Sequence, residues 1–186
     1  MYKNLYWKWE NAITPELCEF FIGSINWDEA QEATVYGSES MDEKVIDPNI
    51  RSSSIVWQDP FSPIGSILQT RVALANRNAG WGIRIDAMED VQVGRYTEGS
   101  FYDWHRDSGT PRDNGQIRKL SIVMALSDPD SYEGGDFEFE EDYLQLNRFG
   151  QGDIIVFPSY LRHRVTPVTA GVRYSAVGWC IGPTFI

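Results

Sequence analysis

Apolar residues recur at helical spacing twice in the first half of the chain. Thr14-Pro15-Glu16 supplies an N-cap, a proline suited to the first helical position and an early acid. Leu17, Phe20, Phe21 and Ile25 follow three or four residues apart, which predicts an amphipathic helix over 15–25. Ser62-Pro63 starts a second helix, with Ile64, Ile67, Leu68, Leu74 and Ala75 on or near one face. Asn78-Ala79-Gly80 stops it. Between the two, residues 28–50 are polar and acidic and read as a loop, and 50–57 as a strand. From about residue 83 the texture changes. Short β-rich runs at 83–88, 91–96, 101–106, 117–126, 135–140, 153–157, 161–167 and 172–181 alternate with Gly, Pro, Asn and Asp clusters.

Many short strands at this spacing predict a sandwich or barrel, and helices confined to the first half make the whole α+β. The expected architecture is a jelly-roll or cupin-like double sheet with the N-terminal helices packed on one sheet. No repeat, low-complexity tract or linker marks a second unit. Residues 1–186 are therefore expected to form one domain, with 1–82 as support and 83–186 as the core that carries the site.

Composition narrows the class. A hydrophobic fraction of 42% and an aromatic fraction of 13% argue for a packed core. No run reaches transmembrane length, so no membrane association is expected. The N-terminus lacks an apolar signal region, and Cys18 and Cys180 form no patterned pair. Both facts fit a cytoplasmic protein. The formal charge of −11 argues against nucleic acid as a partner, because phosphate binding needs cations.

The candidate chemistry centres on the only two histidines. His105 lies in Tyr102-Asp103-Trp104-His105-Arg106-Asp107, an H-x-D, and His163 in Leu161-Arg162-His163-Arg164. In a strand, residues i and i+2 share a face, so His105 and Asp107 could chelate one ion while His163 completes the set from another strand. Asp103 also stands two residues from His105, and periodicity alone does not choose between it and Asp107. Two imidazoles and a carboxylate form the facial triad of non-haem iron(II) oxygenases. A zinc hydrolase could use the same donors, but the chain has no H-E-x-x-H. Arg173, ten residues past His163, is a fixed cation that suggests a bound dicarboxylate.

Residues 91–181 resemble the double-stranded β-helix core of the iron(II)/2-oxoglutarate oxygenases, within the prolyl 4-hydroxylase-like branch of bacterial and phage type. The resemblance rests on Arg95-Tyr96, Gly99, Tyr102, His105-Arg106-Asp107, Arg118-Lys119-Leu120-Ser121, Gly134-Gly135-Asp136-Phe137, Gly152-Asp153 through Pro158, His163, and Val172-Arg173-Tyr174-Ser175 through Trp179. It implies that His105, Asp107 and His163 hold Fe(II), with Asp107 rather than Asp103 as the carboxylate. It implies that Arg173 pairs with the distal carboxylate of 2-oxoglutarate, with Tyr96 and Ser175 beside it. Arg51 in Arg51-Ser52-Ser53-Ser54, Tyr102, Arg118 and Trp179 fall where relatives meet substrate. Trp57 and Trp104 are assigned to core or wall, and the segments 97–103 and 108–116 to loops at the mouth.

The implied activity is hydroxylation of an unactivated C–H with O2, releasing succinate and CO2, with ascorbate as a candidate reductant. The favoured substrate is a prolyl residue in a protein or peptide; a free amino acid or other small molecule is the alternative. A jelly-roll module that binds metal without turnover is the non-enzymatic alternative, and an intact Arg173 argues against it. Nucleic-acid demethylases resemble a pattern with a second arginine six residues after the first, where this chain has Trp179.

Overall fold

The computed structural model describes residues 4–36, 44–45, 47–141, 146 and 148–184. The first half runs β1 (Trp7–Trp9), α1 (Pro15–Ser24), β2 (Gln31–Glu32), β3 (Val35–Tyr36), β4 (Lys44–Val45), β5 (Arg51–Ser52), β6 (Ser54–Gln58) and α2 (Pro63–Asn78). The second half runs β7 (Ala87–Met88), β8 (Val91–Tyr96), β9 (Phe101–His105), β10 (Gln116–Ala125), β11 (Tyr132–Gly134) and β12 (Phe137–Phe139). It closes with β13 (Ile154–Pro158), β14 (His163–Val165), β15 (Val168–Gly171) and β16 (Arg173–Pro183).

Two sheets dominate. The large one has the order β1-β13-β10-β16-β8-β6-β2, with β7 beside β16. The small one is β12-β14-β9-β5. All their pairings are antiparallel. Together they form the double-stranded β-helix, α+β as expected.

Alternation explains the layering. In β10, Leu120, Ile122 and Met124 join one core cluster, while Val123 and Ala125 join another. In β13, Ile154 and Val156 belong to the first, Ile155 and Phe157 to the second. The first cluster also contains Cys18 and Phe21 of α1 and Ile64, Leu68, Val72 and Ala75 of α2. It is therefore the layer between the helices and the outer face of the large sheet. The second lies between the sheets, with Phe137, Phe139 and Val165 supplied by the small sheet. Strands buried on both faces read as apolar runs, which is why 117–126 and 153–157 carry so little polar residue.

Both helices start as their sequences predict. The Thr14 side chain accepts from the Leu17 amide, and Ser62 Oγ accepts from the Gly65 amide at 3.3 Å. α2 lies on the sheet closely enough that a Cβ at Gly178 would stand 2.7 Å from the Met88 methyl and 3.6 Å from Leu68 Cδ1.

Several expectations need correction. β1 was not expected; two tryptophans around Lys8 extend the large sheet at its edge beside β13. The expected strand over 50–57 is two, because the chain leaves the small sheet after Ser52 and enters the large sheet at Ser54. The run 161–167 is interrupted before β15, since Pro167 offers no amide for a ladder. Most of 83–88 is not strand; only Ala87–Met88 pairs. The stretch read as a loop over 28–50 contains β2 and the β3–β4 pair, while residues 37–43 and 46 lie outside the described residues. Among the described residues, no helix is long and apolar enough to cross a membrane.

Leu68 is fully buried between α2 and the sheet. Leu68→Ala is expected to lower stability by about 2–5 kcal/mol through lost transfer energy and a residual cavity. Urea denaturation checks this, with a lower midpoint at an unchanged slope as the outcome.

Candidate metal and cosubstrate site

His105 ends β9 and His163 opens β14, and the two are direct cross-strand partners in the small sheet. Their ring centroids are 4.2 Å apart. Asp107 stands just beyond β9 and does not reach the site by strand alternation, as the sequence pattern had implied. Instead the chain bends, and the amides of Asp107 and Ser108 both donate to the Ser159 carbonyl, at 3.0 and 2.9 Å. His105 Nε2 lies 3.6 Å from Asp107 Oδ1, and His163 Nε2 lies 3.5 Å from Asp107 Oδ2. One ligand atom from each of the three residues falls within 4.8 Å of the others. Asp103 is not part of this group. Its carboxylate turns away and accepts from the Trp104 amide at 2.7 Å.

The imidazoles are oriented for metal binding. His105 Nδ1 is 2.8 Å from the Asp103 carbonyl, and His163 Nδ1 is 3.0 Å from the Leu161 carbonyl. A carbonyl only accepts, so each Nδ1 carries the proton and each Nε2 presents its lone pair toward Asp107. Burial, with the neighbouring His163 adding to it, pushes the His105 pKa down to about 3. Burial alone would raise the Asp107 pKa. The His163 and His105 imidazoles, Arg118 and the Ser121 hydroxyl hold it below the usual carboxylate range instead. At neutral pH the donor set thus includes a neutral His105 imidazole and an anionic carboxylate, with His163 Nε2 beside them. Hard-to-borderline divalent ions such as iron(II) take this set.

The carboxylate is itself held. Ser121 Oγ donates to Asp107 Oδ2 at 2.7 Å and stands 2.8 Å from Ser159 Oγ. Ser121 spends its proton on Asp107, so Ser159 donates to Ser121. Both serines are fully buried. Sequence reasoning gave neither a role. The signal was present: Ser121 is a lone hydroxyl on the inward phase of an apolar strand, where it needs a partner.

A cavity connects the three candidate ligands with Arg173, Ser175 and Tyr96. Arg173, Ser175, Val177 and Trp179 alternate along β16 and all line it. Arg173 is 3% exposed, donates to Ser175 Oγ at 3.2 Å, and faces Tyr96 across the β8–β16 ladder. It has no carboxylate partner among the described residues. A buried guanidinium without an anion is costly, so this geometry fits an anionic ligand. Gly135 makes the placement possible: at φ +63°, its Cβ would stand 2.9 Å from Arg173 Cδ.

An outer groove adjoins the cavity. Arg51, Gln92, Tyr102, Asp107 and Trp179 line both spaces. Tyr102 stacks on His105 with ring centroids 3.5 Å apart, and burial pushes its pKa up to about 12. Its hydroxyl therefore remains a donor. Arg118 lies 3.9 Å over the Trp179 ring and pairs with both Glu89 oxygens, at 3.0 and 2.7 Å. Trp57 is a wall residue of the groove, with its ring 6.3 Å from that of Trp179. Trp104 faces Arg164 instead. Of the loops expected at the mouth, 101–103 is strand, and Gly109 represents 108–116 in the groove.

The sequence profile described as the 2OG-Fe(II) oxygenase superfamily matches residues 91–181, which contain all three ligands and Arg173. The chain belongs to the 2OG-Fe(II) oxygenase superfamily. It is 38% identical over 90 residues to a PKHD-type hydroxylase of Idiomarina loihiensis, covering 48% of this chain and 40% of that protein. A PKHD-type hydroxylase of Synechococcus sp. (strain JA-2-3B'a(2-13)) is 31% identical over 69% of this chain and 62% of its own length. The matches to the first curated relatives span about two fifths of those proteins' length. The fold is that of the viral collagen prolyl hydroxylase of Paramecium Bursaria Chlorella virus-1, with TM-score 0.73 and 20% identity over 97% of both chains. A Pseudomonas putida prolyl-4-hydroxylase gives TM-score 0.71 and 21% identity, over 96% of this chain and 92% of that one.

Removing the Ser121 hydroxyl leaves Asp107 without its side-chain donor. Ser121→Ala is expected to weaken Fe(II) binding by about 10–100-fold with the fold retained. Metal titration followed by calorimetry checks the affinity, and circular dichroism the fold.

Proposed function

We propose that this protein is an Fe(II)- and 2-oxoglutarate-dependent dioxygenase that hydroxylates a prolyl residue in a protein or peptide. The carrying observation is one cavity that joins two lone-pair-bearing imidazole nitrogens and a carboxylate to a buried, acid-free Arg173. His105, Asp107 and His163 hold the metal, and Arg173 with Ser175 takes the distal carboxylate of 2-oxoglutarate. Iron(II) with 2-oxoglutarate and O2 supplies the oxidising chemistry, in which decarboxylation to succinate and CO2 accompanies hydroxylation of a C–H.

The chain's residues provide the rest. The guanidinium offers a planar fork that fixes the cosubstrate's orientation as well as its charge. Tyr96, beside Arg173, adds a hydroxyl at the same end of the cavity. Val123, Phe137, Val165 and Val177 line the walls and keep water from the reacting centre. Ser121 and Ser159 hold the Asp107 carboxylate in place, so that it would meet a metal together with His105 and His163. The neutral Tyr102 packs flat on His105 and fixes the ring plane.

The groove supports a peptide over a free amino acid. It continues from the inner cavity past Arg51, Tyr102 and Trp179, and carries the exposed indole of Trp57, while Trp179 lies buried beneath Arg118. Aromatic faces of this kind suit a proline ring. The resemblance to solved prolyl hydroxylases supports the same reading, and one of them is described in complex with a peptide fragment of hypoxia inducible factor.

Incubation with proline-containing peptides, Fe(II), 2-oxoglutarate and ascorbate is expected to add one oxygen at proline, mapped by fragmentation mass spectrometry. Oxidation of free amino acids without any peptide product overturns the peptide assignment. Arg173→Gln is expected to reduce kcat/KM for 2-oxoglutarate roughly 30-fold or more, because a buried charge partner is lost. Metal binding should remain within a fewfold of the parent protein; loss of metal by a folded variant contradicts the role given to Arg173.

A further inference from the structure

Two more guanidiniums at the mouth make no ion pair among the described residues. Arg51 is 6% exposed, yet it makes no ion pair among the described residues. Its Nε donates to Ser53 Oγ at 3.2 Å, and its Cζ lies 4.5 Å over the Tyr102 ring. Arg106, on the outer groove, donates through Nε to the Tyr160 carbonyl at 3.0 Å and also makes no ion pair among the described residues. The other groove arginine, Arg118, is neutralised by Glu89, which also takes Arg112. The chain is strongly acidic, at −11, so arginines without an ion pair among the described residues at this opening are not a by-product of composition.

The charges of the reacting centre do not use them. A divalent metal, Asp107, the cosubstrate dianion and Arg173 cancel. Arg51 and Arg106 are left over. Arg51 lines both the inner cavity and the outer groove, while Arg106 lines only the groove. A group held by Arg51 therefore sits beside the reacting residue, and one held by Arg106 sits farther out.

We infer that the substrate is acidic: a peptide with an Asp or Glu next to the oxidised residue, paired with Arg51, and further acid reaching Arg106. This rests on the peptide reading above, but its binding term can be measured without turnover. A buried arginine whose only polar side-chain partner is a hydroxyl has donors to spare, and a carboxylate uses them bidentately. An amide in the same place offers one oxygen and brings two donors toward a cation. Discrimination against the amide is therefore built into the site.

The test compares paired proline peptides that differ only in Asp and Glu against Asn and Gln at the flanking positions. Binding is read by quenching of tryptophan fluorescence in the anaerobic Fe(II) and 2-oxoglutarate complex. The acidic member is expected to bind about tenfold or more tightly than its amide twin, the range for a hydrogen bond to a charged group. In Arg51→Gln that ratio should fall to about one. In Arg106→Gln, a variant at an exposed position, it should fall by a smaller factor. Succinate release without peptide reports whether the centre of each variant is intact. If Arg51→Gln fails to fold, Arg106→Gln and the salt dependence of the wild-type ratio carry the test, since added salt should shrink a charge-based preference. Equal binding of acidic and amide peptides by the wild-type protein overturns the inference. So does free proline binding with the full Arg51 dependence while the paired peptides bind alike, which would give Arg51 an α-carboxylate instead. Tight acidic-peptide binding without any hydroxylated proline upholds the inference and sinks the prolyl assignment alone.

Discussion

Arg173 faces Tyr96 on one side of β16, and Ser175 pairs with Ala125 on the other. This register, locked by ladders to β8 and β10, is the constraint on which the rest depends. Side chains alternate with period two, so a slip by one residue would send Arg173, Ser175, Val177 and Trp179 into the layer beneath the helices. It would also bring Tyr174, Ala176 and Cys180 into the cavity. Leu120, Ile122 and Met124 on β10 oppose such a slip, because their burial against α2 fixes which phase of the sheet is dry. The helices touch no ligand of the site, yet they determine which residues face it.

The small sheet applies the same logic more locally. His105 and His163 meet because β9 and β14 pair in one register. Their Nδ1 atoms are then consumed by carbonyls two residues earlier in each chain segment, at Asp103 and Leu161. The same backbone geometry recurs twice, so the two rings present equivalent nitrogens to Asp107. Asp107 comes from outside the ladder, and needs Ser121 and Ser159 from the opposite sheet to hold it. The site is thus a joint between the sheets: imidazoles from one, and the carboxylate's supports from the other.

Much of this could be read in the sequence, for reasons visible at particular residues. The apolar runs at 117–126 and 153–157 are buried on both faces, so their strand character is strong. Thr14 and Ser62 mark the helix starts because side-chain capping is local. The two histidines and Arg173 stood out because imidazoles and buried cations are scarce in this chain. What the sequence hid was set by distant partners. β1 depends on an edge of β13 far along the chain. The convergence of Asp107 depends on a bend tied to Ser159 rather than on alternation. Gly135 looks like an ordinary turn glycine until Arg173 is seen lying against it. That Arg51 makes no ion pair among the described residues is a property of the assembled mouth that no local pattern records.

The crossing at Ser53 has a wider consequence. The eight residues Arg51–Gln58 belong to both sheets, β5 joined to β9 and β6 to β8. They act as a hasp across the open end of the barrel, and contribute Arg51, Ile55 and Trp57 to the groove. This hasp lies outside residues 91–181, the stretch shared with the superfamily. The groove is therefore assembled from both parts of the chain, because Tyr102, Arg106, Arg118 and Trp179 join it from within the shared stretch. A change of side chain at Ile55 or Trp57 would thus reshape one wall of the opening and leave His105, Asp107, His163 and Arg173 untouched.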